Sequence, residues 1–65
     1  MIMTKHDYSN HREEYNGYCK KCKDVTNYGG VEPDADSYEC ETCGKNSVIG
    51  VEDALICGYI KIRGT

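Results

Sequence analysis

Five cysteines are the residues of this 65-residue chain best suited to chemistry, and four of them form two identical brackets. Cys19-Lys20-Lys21-Cys22 and Cys40-Glu41-Thr42-Cys43 each place two thiols three positions apart, with seventeen residues between the pairs. A Cys-x-x-Cys turn lets both its sulfurs reach one ion, and a spacer of hairpin length returns the second turn to the first. Four thiolates suit a tetrahedral Zn2+ with metal–sulfur bonds near 2.3 Å. Cys19, Cys22, Cys40 and Cys43 are therefore the expected ligands of one Zn2+ per chain.

The other chemistry-bearing residues read differently. Cys57 follows the apolar run Ala54–Ile56 and is expected to pack there as a small hydrophobe. His6 and His11 lie in a polar stretch and are expected to be solvated rather than ligands or bases. Tyr18 and Tyr38 precede the two pairs, and their rings are expected to cover the metal. Lys20, Lys21, Lys23 and Lys45 flank the pairs, and their charge partly offsets the negative metal–thiolate centre. There is no glycine-rich phosphate loop, no Ser-His-Asp set and no inward carboxylate pair. No catalytic residue is expected, and the reading is non-enzymatic.

Size makes the metal matter for folding. A chain this short buries a small fraction of its surface and allows one domain at most. Its apolar inventory is one Leu, five Ile and four Val, with no Phe and no Trp. A structural Zn2+ contributes roughly 10–16 kcal/mol in finger peptides, more than a domain's usual net stability. The odd cysteine count and the absence of an apolar leader argue against a secreted disulfide scaffold. An intact, soluble, cytoplasmic chain in a reducing compartment is expected, and no stretch is long enough for a membrane span. The formal charge of −3 becomes roughly −5 with four thiolates and one Zn2+ in place. Eight basic residues against eleven acids disfavour tight nonspecific nucleic-acid binding.

The elements that must position the cysteines follow from the pattern. Residues 1–16 are polar without a clear period and read as an N-terminal tail or extension, leaving 17–65 as a single domain. Lys23–Tyr28 reads as a short strand with Val25 and Tyr28 inward. Gly29-Gly30 and Glu32-Pro33-Asp34 make a turn and an acidic loop, and Ser37–Cys40 reads as a returning strand. Ser47–Gly50 is a further strand. Val51–Cys57 is a short helix with Val51, Ala54 and Leu55 on one face, stopped by Gly58. Tyr59–Arg63 alternates and reads as a final strand with Ile60 and Ile62 on one side.

The paired Cys-x-x-Cys turns, the spacer and Gly44 after Cys43 resemble the zinc ribbon family over about residues 17–45. Lys23 stands where that family usually places a small residue, and neither pair contains Pro. The tail Val51–Ile62 is similar to those of short zinc-ribbon proteins encoded by bacteriophages. The resemblance implies a small metal-stabilised, β-rich fold of ribbon hairpins with one short C-terminal helix and a final strand. Three functions are open. The acidic balance favours a module that binds a protein partner, in the setting of transcription or replication machinery. Nucleic-acid binding through tyrosines and Lys20, Lys21 and Lys23 is the alternative. Rubredoxin-like electron transfer through iron is the third, and the lack of Trp and Phe speaks against it. A thioredoxin-like dithiol role would need a βαβ scaffold that this length does not support.

Overall fold

The computed structural model describes residues 1–63. Five three-residue strands and two helices follow in the order β1 (Ile2–Thr4), α1 (Lys5–Glu13), β2 (Gly17–Cys19), β3 (Asp24–Thr26), β4 (Val48–Gly50), α2 (Val51–Cys57) and β5 (Lys61–Arg63). The fold is small and β-rich, with the expected C-terminal helix and final strand, and it adds α1 at the other end.

A three-stranded antiparallel sheet in the order β3-β2-β4 carries the centre of the molecule. Its middle strand pairs Tyr18 with Val25 on one side and with Ile49 on the other. Successive strand residues face opposite ways. Tyr18 and Ile49 accordingly join Met3, Val25, Val51, Ala54 and Ile60 in one core. Cys19 and Val48, paired across the same strands, face the other way and pack with Val31, Ala35 and Cys40. One sheet thus separates an apolar core from a cysteine-containing one. Each fully buried large apolar side chain of either core, such as Ile60 or Val48, is worth about 1.5–3 kcal/mol.

The loop from Val31 to Ala35 closes over the cysteine-side face. Gly50 makes that closure possible: a Cβ there would overlap the carbonyl oxygens of Glu32 and Pro33. The Gly50 N–H donates to the Ala35 carbonyl at 3.0 Å, so the loop is tied where it is closest.

Residues 1–16, patternless in sequence, hold real elements. β1 runs parallel to β5, with Met3 opposite Ile62. Thr4 caps α1 by accepting the Asp7 N–H at 3.1 Å. The helix ends with Asn16 N–H on the His11 carbonyl and Tyr15 N–H on the Arg12 carbonyl, with Tyr15 in the left-handed region at φ 59°. α1 buries no residue completely. It is held to α2 by Arg12, whose Nε and Nη2 donate to Glu52 at 3.2 and 3.1 Å. Asn16 is buried and fully engaged: its amide donates toward His11 Nδ1 and Glu14, and its oxygen accepts the Gly29 N–H.

Three expectations are corrected. Ser37–Cys40 forms no strand; one bridge joins Tyr38 to Val48, and Ser37 at φ 59° interrupts the extension. Tyr28 is exposed, because Asn27 at φ 54° breaks the alternation that would have turned it inward. Cys57 is exposed rather than packed. In α2 the buried side chains are Val51 and Ala54, and Cys57, the last residue of the helix, lies exposed at its end. α2 stops as expected, with Gly58 N–H on the Leu55 carbonyl and Tyr59 N–H on the Ala54 carbonyl.

Candidate metal centre

The first cysteine turn is the connection between β2 and β3. Cys19 lies opposite Asp24 at the end of the hairpin, so the four residues between them must reverse the chain. The Lys23 N–H returns to the Cys19 carbonyl at 2.8 Å, and the Cys22 N–H donates to the Cys19 sulfur at 3.2 Å. Lys23 takes φ 59°, the left-handed conformation for which glycine is the ordinary choice.

The second turn repeats this geometry. The Gly44 N–H returns to the Cys40 carbonyl at 2.9 Å, and Gly44 takes φ 74°. Thr42 and Cys43 N–H groups donate to the Cys40 sulfur at 3.3 and 3.4 Å. Cys40 N–H closes the turn on the Lys45 carbonyl at 2.8 Å.

The two turns bring all four sulfurs within 4.8 Å of one another. Cys19 and Cys43 sulfurs are 3.7 Å apart, and those of Cys22 and Cys40 are 3.9 Å apart. A tetrahedron with 2.3 Å metal–sulfur bonds has sulfur–sulfur edges of about 3.8 Å. The four residues expected as ligands therefore fit a metal ion, by donor type and by spacing. No other group of three or more His, Cys, Asp or Glu among the described residues converges in this way. His6 is exposed and His11 is half-buried against Asn16, so neither joins the cluster.

The cluster is asymmetric. Cys19 and Cys40 are buried, whereas Cys22 and Cys43 are exposed. The tyrosines do not make that difference. Tyr18 faces the apolar core, where its ring stacks on Tyr59 with centroids 5.9 Å apart, and Tyr38 donates its hydroxyl to Glu32. Val31, Ala35 and Val48 shield the inner sulfurs instead.

Two polar residues support the centre without any signal in the cysteine motif. Buried Ser47 places its hydroxyl 3.1 Å from the Cys19 sulfur. Asn27 clips the second turn to the first hairpin: its amide donates to the Glu39 carbonyl at 2.6 Å and its oxygen accepts the Glu41 N–H at 2.9 Å. Ser47 stands out in sequence as nothing more than a polar residue before an apolar run.

Without a metal, the thiols titrate unequally. Burial opposes ionisation of Cys19, but the Ser47 hydroxyl and the Cys22 N–H outweigh it and lower the thiol to about 6. The Cys43 N–H, against some burial and helped by the Thr42 N–H, also lowers Cys40. Cys22 is pushed up to about 12, chiefly by sharing hydrogen bonds with Cys19 and Cys43. The inner thiols thus give up their protons more readily than Cys22, whose proton a metal must displace. No family model, curated protein or solved structure matches this chain, so the assignment of a four-cysteine metal centre stands on this geometry.

Proposed function

We propose that the chain is a non-enzymatic module in which one Zn2+ fixes the fold and the exposed segment leading into the second cysteine pair binds a protein partner. The observation that carries it is the convergence of four sulfurs at tetrahedral spacing in a chain with two small cores. Tetrahedral thiolate sites select zinc or iron. Zinc, when bound, supplies a redox-inert +2 charge that neutralises thiolates and joins the two turns. The role of the protein's own residues is to present those thiolates, with N–H donors already aimed at Cys19 and Cys40.

Support for the interaction reading lies on the segment from Tyr28 to Glu41, which joins the first hairpin to the second cysteine turn. Tyr28 is 68% exposed, and Asp34, Asp36, Glu39 and Glu41 all face solvent. An aromatic ring beside acidic side chains suits a partner surface carrying Lys or Arg. Elemental analysis of the isolated protein tests the metal, with one zinc per chain and no visible absorption expected; stoichiometric iron would overturn it. Affinity capture tests the partner. A protein recovered by the wild-type chain should be lost to a Tyr28→Ala/Asp34→Lys/Asp36→Lys variant that keeps its zinc. Retention on single- or double-stranded nucleic acid at low salt, weakened by Lys21→Ala/Lys23→Ala, would instead favour nucleic-acid binding.

A further inference from the structure

The four sulfurs differ in two ways that run together. Cys19 and Cys40 are buried and receive the hydrogen bonds: the Cys22 N–H and Ser47 hydroxyl at Cys19, the Thr42 and Cys43 N–H groups at Cys40. Cys22 and Cys43 are exposed, and among the described residues no N–H or hydroxyl donates to either sulfur. A hydrogen bond draws electron density from a thiolate and lowers its nucleophilicity. Solvent access and electron density therefore both select the outer pair. Each outer sulfur also has an inner partner from the opposite turn at close range, Cys43 with Cys19 at 3.7 Å and Cys22 with Cys40 at 3.9 Å.

From this asymmetry we infer that the metal centre is a peroxide-sensitive switch, in which Cys22 and Cys43 are attacked first and Cys40 and Cys19 resolve them. The inference rests on the zinc reading above. Each outer thiolate attacks one oxygen of hydrogen peroxide, the O–O bond breaks, and a sulfenic acid and hydroxide form. The inner thiolate then attacks the sulfenic sulfur, the S–O bond breaks, and a disulfide and a second hydroxide result. Two hydrogen peroxide molecules are reduced to four waters with four protons taken up. The four thiolates become Cys19–Cys43 and Cys22–Cys40 disulfides, and Zn2+ leaves for want of ligands. Both crosslinks join one turn to the other, so the bonds that replace the metal hold together the same parts of the chain. A thiol reductant returns the thiolates and lets zinc rebind.

The test uses the full chain carrying Cys57→Ser, which removes the exposed fifth thiol without touching the cluster. Elemental analysis comes first, and a protein without zinc sinks the metal reading before peroxide is added. Zinc-loaded protein is then treated with hydrogen peroxide, with zinc release followed by a colorimetric chelator and thiols mapped by N-ethylmaleimide and mass spectrometry. Release in step with thiol loss is expected, with sulfenic acid trapped at Cys22 or Cys43, cross-turn disulfides at the end point, and recovery of zinc binding after reduction. Zinc retained under peroxide, first modification at Cys19 or Cys40, disulfides within either Cys-x-x-Cys pair, or irreversible loss would each overturn the switch while leaving the zinc reading intact.

Discussion

The first cysteine turn closes a β-hairpin, whereas the second hangs from the rest of the chain by one β-bridge. Both turns use the same local bonds: an N–H returning to the first cysteine's carbonyl, N–H donors on its sulfur, and a left-handed residue after the second cysteine. Their foundations differ. Cys19 belongs to the central strand of a three-stranded sheet, with partners on both sides. Cys40 follows the Tyr38–Val48 bridge, and its turn is steadied by the Asn27 side chain. The lesson is that equal ligands need not be equally preorganised. One half of the site is supplied by the sheet, and the other half is completed by the metal.

The largest test of that difference is removal of the metal or a ligand. Cys22→Ser or Cys43→Ser should forfeit most of a binding free energy of roughly 10 kcal/mol and leave the chain unfolded or nearly so, read by circular dichroism. Short of full unfolding, chelation should release the two turns unequally. Hydrogen exchange at Cys43 and Gly44 should accelerate at least about tenfold more than at Tyr18 and Val25. Equal acceleration at both places would dissolve the contrast.

Asn27→Ala should come next. It removes two hydrogen bonds to the second turn and leaves the Glu39 carbonyl and Glu41 N–H to water, at a cost of about 1–3 kcal/mol in thermal or urea unfolding. Metal affinity should fall with it, because the loosened turn supplies two of the four sulfurs.

Acid should act through the thiols. Protons compete with metal, so affinity falls as pH falls. At neutral pH the metal already displaces the proton of Cys22, whose metal-free thiol is raised to about 12. Below about 6, Cys19 also gains a proton in the free protein, and the loss of affinity steepens. Each displaced proton contributes up to about 1.4 kcal/mol per pH unit, measurable by competition with a chelator of known pH dependence.

The smallest effects test the left-handed residues. Lys23→Gly relieves an unfavourable conformation and should be neutral to stabilising by up to about 1 kcal/mol, whereas Gly44→Ala should destabilise by about 1 kcal/mol. Matching losses at both positions would show that the Lys23 side chain contributes more than its backbone costs.

The cysteine cluster and α2 were legible because each carries a strong local signal: paired Cys-x-x-Cys spacing in one case, a helical apolar face followed by Gly58 in the other. The N-terminal elements were not. α1 buries nothing completely, so no apolar period marks it, although Thr4 followed by Asp7 is a capping pattern that was available in the sequence. β1 acquires meaning from β5, which lies at the far end of the chain. The strand expected at Ser37–Cys40 failed on a backbone conformation, at Ser37, that residue type does not announce. Cys57 was misplaced because apolar neighbours in sequence do not show whether anything packs against the last residue of a helix, where Cys57 lies exposed.

The pairing of β1 with β5 also sets an order of events in time. Met3 and Ile62 close a loop of almost the whole chain, whereas the cysteine turns are joined between Cys19 and Cys43. Long closures lose more chain entropy before any contact offsets it, so the metal-centred hairpins should assemble first and the parallel strands should dock last. Met3→Ala should then speed unfolding and leave the refolding rate nearly unchanged in stopped-flow measurements. The strand pair is in that sense a late seal on a structure that the metal has already begun.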